Sequence, residues 1–263
     1  MKQAQEKEHL TMLMADDMGS PVRIDNAVER IVSLVPSLTE AVAATKRPAL
    51  IGATDWCTHP ADLKVARVRG PKNPDWRAIV ALEPDLVLAN KEENRELDVQ
   101  RLRDAGVQVW VTVIESVPAA LTSLQRLFTD ALGWPVPDWL IEAGSLWSEP
   151  VPRVRARVAV PIWRDPWMVV GSSTYTGDLL RRVGLENVFD SHKDRYARVE
   201  LDQIDRSDID RILLPDEPYT FTAQNGPEAF HNVPTELVSG RLLTWYGPTM
   251  VEAAHVLNTT HSP

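Results

Sequence analysis

The chain has 263 residues, 44% hydrophobic and 25% charged, with a formal net charge of −9. Such a chain holds enough apolar material for one large domain or two small ones. An acidic sequence without long Lys/Arg runs argues against nucleic-acid binding, which needs a concentrated basic surface, and no apolar stretch approaches the roughly 20 residues of a membrane helix.

The elements follow in chain order. Residues 1–10 read as a polar, frayed arm, and 11–14 with 22–24 as two short strands around the turn residues Asp16, Asp17 and Gly19. Apolar, β-branched runs at 31–35, 50–53, 85–89 and 107–112 read as buried strands. Between them, helices are expected over 39–44, 75–82, with Asp75 as N-cap, and 94–105, stopped by Gly106. Residues 116–149 carry helical periodicity in two stretches, 117–132 and 138–147, broken by Trp134-Pro135-Val136-Pro137. Alternation then restarts, with strands at 157–163, within 210–215 and at 242–245, and helices at 176–183 and 248–257.

Strands alternating with helices imply parallel pairing. The expected fold is α/β, two lobes with central parallel sheets flanked by helices and joined by a backbone helix. The expected boundaries are an N-terminal lobe at 1–115, a helical connector at 116–155 and a C-terminal lobe at 156–263.

Ligands of parallel sheets sit at the carboxyl ends of the strands. The segments that follow these strands contain Pro36 and Ser37, then Trp56 and His59, then Lys91, then Trp163, Arg164 and Trp167, and finally Trp245 and Tyr246. Aromatic residues in such places suit a broad, flat, partly apolar ligand. Trp110, Trp134, Trp139 and Trp147 lie within strand or connector patterns and read as core.

The chain resembles the class III, helical-backbone substrate-binding proteins of ABC importers for cobalamin, iron siderophores and haem. The resemblance spans residues 16–257 and is carried by RIVSLVPSLTE at 30–40, IGAT at 51–54, IVALEPDLVL at 79–88, LRDAGV at 102–107 and LLRRVGLENVF at 179–189. The cobalamin-binding branch looks most similar. It implies ligand contacts from Trp56, from Trp163 or Trp167, and from Trp245, with Glu40 as a bracing residue. It also implies an importer permease as partner, docking on a carboxylate of each lobe. Here Arg77 stands at the first docking position and Asp202 at the second. Family members carry a secretion signal, and none is visible in residues 1–17.

Other chemistries find less support. Cys57 is the single cysteine, has no disulfide partner within the chain and reads as a small buried hydrophobe. The six histidines show no His-x-His or His-x3-His pair, so no resident metal is expected. His59 is the candidate for touching a haem iron or cobalt brought in by a ligand. No nucleophile motif, phosphate loop or dinucleotide fingerprint is present, so no catalytic residue or catalytic cofactor is assigned.

The sequence therefore predicts a monomeric, non-catalytic protein holding a corrinoid between its lobes, as carrier or importer receptor. The alternatives are an iron–siderophore or haem binder, and an enzyme acting on a metal cofactor or tetrapyrrole, for which Asp55 with His59 would be the acid–base pair. The expected location is cytoplasmic for the chain as written and extracytoplasmic for a processed form.

Overall fold

The computed structural model describes residues 12–24 and 27–260. The polar arm expected at 1–10, and residue 11 of the first expected strand, lie outside them. The chain divides into two compact units. Unit 1 comprises residues up to Val113 together with 123–137, and unit 2 comprises 114–122 together with 138–263.

In unit 1, β1 (Met12–Ala15) and β2 (Pro21–Ile24) form an antiparallel pair. The expected turn residue Asp16 does more than turn the chain. Its buried carboxylate accepts from the amides of Met18 and Ser20, from Val111 and from the Arg103 guanidinium. The hairpin is thereby tied to the main sheet.

That sheet contains β3 (Ile31–Ser33), β4 (Leu50–Ala53), β5 (Ala66–Arg67), β8 (Leu86–Asn90) and β9 (Val109–Thr112), in the order β5-β4-β3-β8-β9 and parallel throughout. A small hairpin of β6 (Arg69–Gly70) and β7 (Asn73–Pro74) follows β5. Helices α1 (Pro36–Lys46), α2 (Trp76–Ala81) and α3 (Glu96–Asp104) make the crossovers. Every residue of β8 and β9 is buried, as the continuous apolar runs predict for strands covered on both faces. Asp75 caps α2 as expected, accepting from the Ala78 amide at 3.2 Å. Trp110 is fully buried in β9, with the Arg126 guanidinium 5.5 Å from its ring centre.

Helix α4 (Val117–Arg126) starts in unit 2 and ends in unit 1, where a π-helical turn, Leu127–Ala131, continues it. Among the described residues no helix is long and apolar enough to cross a membrane.

Unit 2 begins its later part with α5 (Asp138–Leu146). Its parallel sheet contains β10 (Ala156–Ala159), β13 (Leu185–Asn187), β15 (Arg211–Pro215) and β16 (Thr235–Val238), in the order β13-β10-β15-β16. A separate antiparallel sheet contains β11 (Pro161–Trp163), β12 (Met168–Val170) and β14 (Tyr196–Arg198). Helices α6 (Tyr175–Arg182), α7 (Leu201–Ile204), α8 (Gly240–Thr244) and α9 (Thr249–Thr260) complete the unit. The expected α/β fold with helix-flanked parallel sheets is thus present.

Two elements differ from expectation. The strand expected over 157–163 is two strands in different sheets, because the chain changes partner between Ala159 and Pro161. The strand expected at 242–245 is the short helix α8 and its C-cap. Its apolar pair Leu242 and Leu243 is too short a signal for period to separate helix from strand. Close packing decides: a Cβ on Gly240 would stand 2.4 Å from Glu217 Cγ and 2.7 Å from the Glu217 carbonyl oxygen, so only glycine admits this approach.

Candidate functional site

The carboxyl edge of the unit 1 sheet gathers residues from three adjacent strands. After β3 the chain enters α1 through Pro36 and Ser37, where proline sacrifices no helical hydrogen bond. The Ser37 hydroxyl is buried and meets no hydrogen-bond partner. After β4 comes Trp56, 61% exposed. Its indole Nε1 lies 3.3 Å from where a Cβ on Gly70 would stand. The Arg67 guanidinium holds this loop by donating to the carbonyls of Thr54, at 2.8 Å, and Cys57, at 3.0 Å. After β8 comes Lys91, exposed, beside Asn90, whose side chain organises the turn by accepting from the Glu92 amide.

Cys57 is buried and takes a hydrogen bond from Thr39 Oγ1 at 3.0 Å. Burial pushes its thiol up, so it stays protonated and is a poor nucleophile. His59 and Asp55 are both exposed, and His59 Nδ1 lies 3.2 Å from Thr58 Oγ1. Among the described residues no group of three or more His, Cys, Asp or Glu side chains is arranged to hold a metal ion.

In unit 2 the corresponding edge carries a run of aromatic rings. Trp163, at the end of β11, is 45% exposed and meets Tyr219 edge-on at 5.6 Å. Tyr219 tilts against Phe221 at 4.6 Å, and Phe221 stacks on Trp167 at 6.1 Å with planes 2° from parallel. Trp167 also contacts Phe230 at 5.1 Å. Phe221 and Phe230 are buried and belong to the core of the unit, so the rings grade from core to surface. Arg164 lies 5.6 Å from the Trp167 ring centre, donates to Asn225 Oδ1 at 2.6 Å and pairs with Glu228.

Trp245 and Tyr246 are buried, 6% and 5% exposed, and pack against other partners. Tyr246 meets Tyr175 edge-on at 5.8 Å, and the Tyr175 hydroxyl donates to the Trp245 carbonyl at 3.3 Å. The Trp245 side chain hydrogen-bonds Glu217. Burial pushes the Glu217 carboxyl up, and the neighbouring Asp216 charge adds to this, while the bonds from Trp245 and Thr244 act against it. Its Oε1 is buried without a hydrogen-bond partner. Asp202 is exposed in the first turn of α7, in the segment leading to the amino end of β15, away from the carboxyl edge.

The sequence reading missed Tyr219, Phe221 and Glu217. The signal was available: the segment after β15 reads Asp216-Glu217-Pro218-Tyr219-Thr220-Phe221. It stands at the same edge as the segments that were chosen.

No protein-family model matches the chain. It is 29% identical over 191 residues to a vitamin B12-binding protein of Salmonella typhi, covering 68% of this chain and 69% of that one. It is 23% identical over 202 residues to a vitamin B12-binding protein of Pectobacterium carotovorum, covering 72% of each. Among solved structures it is similar to the periplasmic vitamin B12-binding protein of Vibrio cholerae, with a TM-score of 0.69 and 16% identity over 88% of this chain and 96% of that one. A periplasmic haem-binding protein from Roseiflexus gives a TM-score of 0.69 at 17% identity, over 90% of this chain and all of that one. Likeness at these identities shows the fold, and the fold is that of the substrate-binding class the sequence resembles.

Proposed function

We propose that this protein is a non-catalytic binding protein for a corrinoid, acting as a carrier or as the receptor of an importer. The observation that carries the reading is the graded aromatic run Trp163, Tyr219, Trp167 and Phe221 at the carboxyl edge of unit 2. An exposed ring braced by buried ones gives a flat ligand a rigid apolar surface with little ordering cost. On the unit 1 edge, exposed Trp56 offers a second such surface, and Lys91 and the helix entry at Pro36 and Ser37 offer polar contacts. Relatives named for vitamin B12 at 23% to 29% identity support the ligand class.

An iron chelate or haem is the second reading, supported by the haem-binding protein that shares the fold. An anionic chelate calls for free cations, yet Arg164 is already engaged by Glu228 and Asn225. That ranks it second. A permease partner docking at Asp202, a monomeric state and the catalysis-free role belong to the same proposal, and the periplasmic relatives support the extracytoplasmic location.

The test is a titration with cyanocobalamin followed by tryptophan fluorescence and heat. Saturable quenching supports the reading. Saturable binding of haem or a ferric siderophore, with none of cobalamin, replaces it with the second.

A further inference from the structure

Unit 1 carries a groove of 640 Å³ that none of the ligand-edge residues above lines. Four arginines face it: Arg69 from β6, Arg77 from α2, Arg95 preceding α3 and Arg101 from α3. Two carboxylates share it. Asp75 lies 3.3 Å from Arg69, and Asp98 lies 2.9 Å from Arg101. Four guanidinium groups against two carboxylates leave an excess of two positive charges, in a chain whose net charge is −9.

The excess has an address. Arg77 lies over Trp76, 4.4 Å from its ring centre, and neither Arg77 nor Arg95 pairs with a carboxylate among the described residues. Arg95 is also the N-cap of α3 and makes no side-chain capping bond. The first turn of α3 carries Glu96 and Asp98, so the positive end of this helix already meets negative charge within the chain. Arg77 and Arg95 are both exposed, so their charge is open to a partner from solution.

We infer that this groove docks an acidic segment of a partner protein. The arginines come from a hairpin and two helices, so they suit a chain presenting successive carboxylates. Arg69 and Arg101 have side chains 68% and 48% exposed, and a single small anion in such a wet setting gains little. An extended acidic segment adds several charge-assisted contacts and gains by steering. Tryptophan and arginine together are the residues on which protein interfaces concentrate their energy.

The experiment titrates a hexaglutamate peptide into the full chain by calorimetry at low and high salt. Binding is expected at low salt and is expected to weaken with added salt. Arg77→Glu/Arg95→Glu should weaken it at least about tenfold, whereas the exposed pair Lys64→Glu/Lys193→Glu, with the same change in net charge, should stay within about threefold. Thermal melting checks that the variants fold, and Arg77→Gln/Arg95→Gln replaces the reversal if it does not. Three results would each overturn the inference: no binding at low salt, equal loss in both charge reversals, or inorganic pyrophosphate binding as tightly as the peptide and displacing it. The last would make the groove a small-anion pocket. Cobalamin binding should be unchanged in Arg77→Glu/Arg95→Glu, so the two proposals fail separately.

Discussion

Trp163 and Tyr219 meet edge to face, with ring centroids 5.6 Å apart and planes at 75°. Tyr219 is held in turn, accepting from the Asn225 side chain at 2.9 Å and leaning on Phe221. The exposed tryptophan thus stands on a fixed support. Removing the support should matter almost as much as removing the ring.

Tyr219→Ala is accordingly expected to weaken cobalamin binding by about 1–2 kcal/mol, and Trp163→Ala by about 1–3 kcal/mol. Tyr219→Phe keeps the ring contact and should lose less than Tyr219→Ala. Equal losses in the two Tyr219 variants would mean that the hydroxyl, and not the ring, is what counts. Calorimetric affinities of the three variants make the comparison.

Trp56 and Trp110 should separate binding from stability. Trp56 is 61% exposed and Trp110 fully buried. Trp56→Ala should weaken cobalamin binding and leave the melting temperature nearly unchanged. Trp110→Ala should cost about 3–5 kcal/mol of stability through the cavity it leaves. Trp110→Phe should cost less, since it fills part of that space and removes an indole N–H that is buried without a partner.

Glu217 should set a pH dependence of stability. Its folded pKa lies above the ordinary glutamate value because the carboxyl is buried. Its contribution is therefore fully present below that ordinary value and lost as pH rises through the folded one. Relative to wild type, Glu217→Gln should gain stability over the range that starts at the ordinary glutamate value and runs upward through the raised folded one. Melting curves across that range would show a difference that grows with pH. A constant difference would mean that the carboxyl does not titrate differently in the fold.

Asp205 should do the opposite. Burial pushes its carboxyl up, but the amides of His231, Asn232 and Val233 all donate to it and hold it below the usual carboxylate range. Its contribution is present above the ordinary value and lost as pH falls through the depressed folded one. Asp205→Ala should destabilise by about 1.5–3 kcal/mol at neutral pH, and the deficit should shrink in acid.

The alternation of strands and helices was legible because strands covered on both faces, such as β8 and β9, leave unbroken apolar runs. The Asp75 cap was legible because capping is a local interaction. Leu242 and Leu243 were not, since two apolar residues fit either period and tertiary packing around Gly240 decided between them. The division of 157–163 between two sheets depends on strand partners that no local pattern encodes. At the site, Trp56 and Trp163 were legible as exposed aromatics after strands. Tyr219, which supports Trp163, and Phe221, which supports Tyr219, lie more than fifty residues beyond Trp163, and only the fold brings these rings together. Trp245 and Tyr246 follow the same aromatic pattern in sequence, yet they are buried against Glu217 and Tyr175.

The most direct measurement of the central claim is calorimetric titration of the purified chain with cyanocobalamin, alongside Trp163→Ala and Trp56→Ala. The account predicts saturable one-to-one binding with tryptophan quenching in the wild type and weaker binding in each variant. Neither heat nor quenching in the wild type, or binding that both variants leave untouched, would contradict it.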